Sequence, residues 1–393
     1  MKKIIIFAIL LILISCTGYA LYFLDSNPHI HSDNSYAGSV SSEYTFPFKY
    51  SSITLSILVP ASTYHGAKNS ASKYLPWTKL DGFTYYTYLT NDPLQEEMYA
   101  QILDQTETVK RSLDLTDDEY VELLSTFVQS IDYETKVDFR YPVETIVDKY
   151  GDCDDKSTLL AGLLTRADYD AVLLVFEEES HATVGIKTTD TTAYPNTGGY
   201  AVIETTGYSY VTDRSFKFEN GSSLRSTPTV INVGIGTKTY NSGYQVTAIL
   251  DYRDKAESKI EGVEGTIAQH ETRLSSLESS MNTALAEYNS YIDQANSIVS
   301  QQKKLNSDLD ANKITYAEYS SAWDSLRSKY TDAARKSDAA WKEYQSYFSK
   351  YTNSYNDYSN TVSKENRYVD IYNLIISEPY NRQYVYQTVI RAK

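Results

Sequence analysis

Cysteine is nearly absent from this 393-residue chain, occurring only at positions 16 and 153. Cys16 lies inside an N-terminal apolar run, so Cys153 is the only thiol in the soluble part, and no structural disulfide within the chain is available. Histidine is almost as rare. The five are His29, His31, His65, His181 and His270, and no Cys/His cluster has metal-ligand spacing, so the sequence predicts no metal site and no cofactor. Basic residues are outnumbered, 36 against 51 acidic, for a net charge of −15. That argues against a nucleic-acid partner, whose phosphates would be repelled. Long hydrophobic runs are missing but for one, Ile4 to Leu24, which is 21 residues without a charge.

That run sets the expected compartment. It is long enough to span a bilayer, which takes about 20 apolar residues. Lys2 and Lys3 before it would stay in the cytoplasm. Leu13-Ile14-Ser15-Cys16 also resembles a lipoprotein cleavage box, in which Cys16 would carry the lipid, and a cleaved signal peptide is the third reading. All three predict a cell-membrane or surface protein with the bulk of the chain outside the cytoplasm.

What the chain does have is an unusual stretch, Gly151-Asp152-Cys153-Asp154-Asp155-Lys156, followed by the helix-like run to Leu164. A cysteine at a helix start feels the positive end of the helix dipole, which favours the thiolate. The neighbouring carboxylates push the other way, so a reactive thiolate here needs a partner, most simply a protonated imidazole. His181 heads a strand-like run 28 residues on. The next such run, Tyr200 to Gly207, supplies Glu204. Cysteine, then a strand histidine, then a carboxylate is the order of a thiol triad, in which the histidine takes the thiol proton and the carboxylate fixes its tautomer. The expectation is a low-pKa Cys153 paired with His181. Against it stands the plain reading, in which the cysteine and the histidine are core residues.

Residues 117–207 resemble the transglutaminase-like superfamily, which shares the papain-like cysteine hydrolase core, and most closely its archaeal membrane-associated branch. The resemblance rests on Phe127-Val128-Gln129-Ser130, Tyr141-Pro142-Val143-Glu144-Thr145, Gly151 to Asp155, His181-Ala182-Thr183-Val184-Gly185 and Glu204-Thr205-Thr206-Gly207. It implies Cys153 as nucleophile, His181 as base and Glu204 as the orienting carboxylate. Gln129 is a candidate oxyanion donor beside the Cys153 N–H.

Hydrophobic periodicity divides the chain. Residues 1–24 are the anchor or signal segment and 25–43 a polar tether. Residues 44–250 read as a transglutaminase-like α+β domain, with strands at 44–60, 82–90, 171–176, 182–187, 200–205 and 244–250 and helices at 93–113 and 117–132. From 251 to 378 the period changes. Ile260, Val263, Ile267, His270, Leu274 and Leu277 begin a seven-residue repeat that runs to Leu309. After a break at 310–314, Thr315 and Glu318 read as a capping box, and the stepping resumes through Tyr319, Trp323, Tyr351, Tyr355 and Tyr358. The simplest structure is an antiparallel coiled-coil hairpin with arms of about 90 Å; the rival is a parallel dimer. The tail, 379–393, reads as a returning strand. Two functions fit. One is an extracytoplasmic cysteine hydrolase or acyltransferase acting on amide bonds of a protein or peptide. The other is a non-catalytic surface scaffold whose coiled coil takes a helical partner.

Overall fold

The computed structural model describes residues 27–74, 82–135, 139–217 and 222–392. The apolar run at 1–24, with Cys16, lies outside the described residues, among which no helix is long and apolar enough to cross a membrane. The chain divides into two compact units. Residues up to Arg253 together with those from Asn373 form one, and Asp254–Tyr372 the other.

The first unit mixes helix and strand, an α+β arrangement. Strands β1 (Ser39–Phe48) and β2 (Ser51–Pro60) form an antiparallel hairpin. Tyr44, Phe46 and Phe48 on one strand and Ile53, Leu55, Ile57 and Val59 on the other are buried at alternate positions, so one face of the ribbon enters the core. The polar tether expected over 25–43 ends earlier than composition suggests. Asn27 and Ile30 are each only 6% exposed, and the Ile30 N–H is held by Asp92 Oδ2 at 2.7 Å.

Helix α1 (Ala61–Lys68) follows the hairpin, and α2 (Gly82–Thr90) stands where a strand was expected. Its aromatic and β-branched residues favour a strand locally. Burial overrides them, because Tyr85, Tyr86 and Leu89 share the inner side of a helical turn. Helix α3 (Glu96–Ser112) leads to α4 (Asp117–Gln129), whose capping box pairs Thr116 with Glu119. Phe127 of α4 packs on the rings of Tyr44 and Phe46 at 5.3 and 5.6 Å.

Helix α5 (Pro142–Asp148) lies in sequence between β3 (Asp132–Tyr133) and β4 (Tyr150–Gly151), which pair as a two-residue parallel ladder. That ladder delivers the chain to α6 (Cys153–Arg166). A four-stranded antiparallel sheet comes next. It comprises β5 (Ala171–Phe176), β6 (His181–Lys187), β7 (Tyr200–Ile203) and β8 (Thr229–Asn232), in the order β7-β6-β5-β8. Leu173, Val175, Ala182, Val184 and Ile186 share the main core with Leu159, Leu160, Leu163 and Leu164 of α6. Val172, Leu174 and Phe176 belong to a smaller cluster with Val202, Tyr194 and Leu224. Burial of both faces explains why β5 is a continuous apolar run.

Two further expectations are corrected. Residues 244–250 open helix α7 (Gly243–Asp310), because Val246, Ile249, Tyr252 and Ala256 are buried at steps of three and four. The tail forms helix α9 (Arg382–Ala392) instead of a strand: Val385 and Val389, four apart, are fully buried, and Arg382 pairs with the buried Glu122 of α4.

The second unit consists of the larger parts of α7 and of α8 (Tyr316–Ser377). The turn between them ends in the Thr315–Glu318 capping box, with the Thr315 N–H on Glu318 Oε2 at 2.8 Å. Asn306 meets Tyr319, Tyr288 meets Trp341 and Glu271 meets Tyr358, so the two helices contact each other in antiparallel register. The tightest positions are small: Ala284, Ala333, Ser337, Ala340 and Ser354 are all buried. The seam passes through Ser354, whereas Tyr355, expected in it, is 51% exposed.

Candidate active site

Cys153 is the first residue of α6, half-buried, with Asp152 as N-cap. The Asp152 carboxylate accepts the N–H groups of Asp154 and Asp155 at 3.1 and 3.2 Å, while Asp155 Oδ2 reaches back to the Asp152 N–H. Gly151 is dictated by this closure. A Cβ there would stand 2.9 Å from the Asp155 Cβ and 3.1 Å from a Thr145 methyl.

His181 opens β6 and is 7% exposed. Its Nε2 lies 2.9 Å from Glu204 Oε2, just past the end of β7. Glu204 Oε1 accepts the Thr205 and Thr206 N–H groups and the Thr206 hydroxyl at 2.9, 2.8 and 2.6 Å. Burial pushes the Glu204 carboxyl up, but the His181 hydrogen bond and charge and the Thr206 donors outweigh it and hold it below the usual range. A carboxylate so held fixes a proton on Nε2 and leaves Nδ1 as the nitrogen able to accept one. Phe216 packs on the imidazole at 5.7 Å between ring centres.

Cys153 and His181 line one cleft of about 570 Å³, together with Tyr86, Tyr133, Asp152, Asp154 and Phe176. The expected acidic thiol is reversed here. Burial pushes the Cys153 thiol up, and Asp154, Asp152 and Glu204 push it further; the Ala182 N–H, hydrogen-bonded to the sulfur, pulls it down. The thiol hydrogen is directed at Asp154 Oδ1, 3.7 Å away, and Tyr86 donates to the other oxygen at 3.0 Å. The helix dipole is outweighed by burial, by the charges of Asp154 and Asp152 at the helix start, and by Glu204 beyond the end of β7.

Gln129 does not face the cleft as an oxyanion donor. Its Nε2 donates to the carbonyls of Glu204 and Ser209 at 2.8 and 3.1 Å, so it fixes the Glu204 turn instead. Three side chains around the site escaped the sequence reading. Tyr86 was hidden in a segment assigned to a strand. Asp154 reads in the sequence as a carboxylate opposing the thiolate, not as the acceptor of the thiol hydrogen. Lys156 is fully buried, and its ammonium donates to the carbonyls of Ile131, Gln129 and Thr206 at 2.6, 3.3 and 3.5 Å. Burial pushes Lys156 down to about 8, with Glu204 and Asp132 pulling the other way. Its signal was a lysine in the first turn of an otherwise apolar helix face.

Among the described residues no group of three or more His, Cys, Asp or Glu side chains is placed to hold a metal. Comparison with family models, with curated proteins and with solved structures finds no match for this chain.

Proposed function

We propose that this chain is a cysteine hydrolase or acyltransferase acting on amide bonds, built on a papain/transglutaminase-like core that continues into an antiparallel coiled-coil hairpin. The observation that carries the reading is the buried His181–Glu204 pair, 2.9 Å apart, meeting Cys153 in an open cleft. A core cysteine beside a core histidine would need neither the carboxylate nor the cleft.

The chemistry follows from the tautomer. Glu204 accepts Nε2–H, so Nδ1 takes the proton of the Cys153 thiol as sulfur attacks the carbonyl carbon of the substrate. The Cys153 N–H, at the first position of α6, would stabilise the oxyanion. The C–N bond breaks, the proton passes from Nδ1 to the leaving nitrogen, and the acyl group remains on sulfur as a thioester. Water then releases an acid, or an amine takes the acyl group. Because the resting thiol is held protonated, His181 works as a general base on a neutral thiol, in place of forming a resting thiolate–imidazolium pair.

The cleft walls favour a peptide-like substrate. Tyr86, Tyr133 and Phe176 offer flat apolar surface, and Asp152, Asp154 and Glu177 offer negative charge, with no lysine or arginine among the described lining residues. The apolar run at 1–24 supports placing this chemistry outside the cytoplasm, tethered to the membrane by that segment or by a lipid on Cys16. The long helices would then serve for spacing or for a helical partner.

The test presents the purified chain with glutamine- and asparagine-containing peptides, with and without a primary amine. Ammonia or peptide-bond release that disappears in Cys153→Ala and in His181→Ala supports the reading, and amine incorporation decides for transfer over hydrolysis. Turnover that survives Cys153→Ala refutes it.

A further inference from the structure

Far from Cys153 in sequence, two imidazoles converge in the segment that enters the first unit. The Nε2 atoms of His29 and His31 face each other in direct contact, with ring centres 4.1 Å apart. Ile30 between them is buried, so its two neighbours are turned outward together.

The backbone that carries them is pinned on all sides. The Ile30 N–H goes to Asp92, the Ser70 hydroxyl donates to the His29 carbonyl at 2.8 Å, and the Asp33 N–H donates to the Ser62 carbonyl at 2.9 Å. Helix α1 lies directly on the His31 peptide. A Cβ at Gly66 would come within 2.0 Å of the His31 carbonyl oxygen, so only glycine fits there. His29 Nδ1 donates to the Asn27 carbonyl at 2.7 Å, which puts the proton on Nδ1 and turns the Nε2 lone pair toward His31. Asp92 adds negative charge near both rings while its oxygens hold the Ile30 and Leu94 N–H groups. The pair opens on a cleft of about 460 Å³ lined also by Asp33, Asn34, Asn69 and Ser70.

We propose that His29 and His31 bind a late first-row divalent transition ion of the nickel, copper or zinc class through their Nε2 atoms. The features are those of a metal site: two imidazole Nε2 atoms facing each other across one shared hydrogen bond, whose proton an ion would displace, a proton locked on the far nitrogen of one ring by a carbonyl, and a backbone fixed before any ion arrives. With two protein nitrogens, the remaining coordination positions fall to water, which the oxygens of Asp33, Asn34 and Asn69 can hold. Calcium and magnesium are disfavoured, since they take oxygen ligands. The ion would cross-link residues 29 and 31 where the chain enters the folded unit, independently of what Cys153 does.

The test titrates the full chain, solubilised with its N-terminal segment, with nickel chloride alone, in a Cys16→Ser, Cys153→Ala background that removes the thiols. One equivalent of bound nickel is expected, weakened at least about tenfold in His29→Gln and in His31→Gln. His65→Gln and His270→Gln should bind as the parent does. His31 is exposed, so its variant keeps the fold, checked by an unchanged metal-free melting curve. A second measurement needs no histidine variant: the electron paramagnetic resonance spectrum of bound Cu²⁺ should show coupling to two imidazole nitrogens. No stoichiometric nickel binding, binding indifferent to His29 and His31, or a copper spectrum without imidazole nitrogen overturns the proposal.

Discussion

Replacing Glu204 by glutamine is the substitution whose consequences the structure specifies most fully. Glutamine keeps Oε1, so the three donors from Thr205 and Thr206 retain their acceptor. At the other position an NH₂ replaces Oε2 and presents hydrogens to His181 Nε2, where a proton was accepted at 2.9 Å. Nε2 must then become the acceptor and the ring proton moves to Nδ1, the nitrogen assigned to the thiol. The base is lost, and acyl transfer to Cys153 should fall by roughly 10²–10⁴.

The fold should suffer much less. Both side chains are buried, 6% and 4% exposed, and a charge-assisted hydrogen bond contributes about 1.5–3 kcal/mol. The amide keeps a neutral one, so the net loss is about 1 kcal/mol, or about 2–4 °C in melting temperature. The pH dependence has a definite sign. Glu204 is held below its ordinary value of 4.5, so its contribution is present above that value and disappears as the pH falls through the lower folded one. Parent and variant should therefore differ in stability at neutral pH and converge in acid. The assay is the burst of p-nitrophenolate from an activated acetate ester, with the acetyl group located on Cys153 by peptide mass spectrometry, beside melting curves across pH. An undiminished burst, with the acetyl group on Cys153, would refute the tautomer argument. A variant that unfolds at neutral pH would show that the pair is chiefly structural.

Three further outcomes are expected. Asp154→Asn should make Cys153 alkylate several-fold faster near neutral pH, because the carboxylate beside the sulfur is the largest charge raising the thiol; a slower rate contradicts this. Asp152→Asn keeps the N-cap acceptor but removes a carboxyl that burial and Asp154 push up to about 6. A carboxyl raised in the fold stabilises only below its unfolded value and loses that contribution as the pH rises through about 6, so the variant should melt about 2–4 °C higher at pH 8 and no higher at pH 4. Spin labels at Ser276 and Ser349, in a cysteine-free background and diluted with unlabelled chain, should lie roughly 10–30 Å apart, since packed helix axes are about 8–10 Å apart and the labels add their own reach; a distance seen only between chains would replace the hairpin with a dimer.

The features legible in the sequence were those with local causes. The alternation over 44–60, the Thr315–Glu318 box and the apolar runs around β5 and β6 are set by neighbours along the chain. Scarcity did the rest at the site, since one thiol and few histidines left little choice. What could not be read depended on partners distant in sequence. Residues 82–90 and 244–250 have strand-forming residues but become helix because of what they bury against. The tail is a helix because Arg382 finds Glu122, 260 residues away. The direction of the Cys153 shift was missed for the same reason: the helix dipole and the neighbouring carboxylates are local and opposed, whereas the burial that decides between them comes from the folded chain.

The central claim is that His181 activates Cys153. The most direct measurement is the rate at which a peptidyl thiol-reactive probe labels Cys153 across pH, in the folded chain, in the chain unfolded by urea and in His181→Ala. Burial and three carboxylates by themselves make this thiol less reactive than a free one. The account therefore predicts labelling faster in the folded chain than in the unfolded one at neutral pH, and slower than the unfolded one in His181→Ala. Folded labelling that is no faster than unfolded, or that is unchanged in His181→Ala, contradicts it.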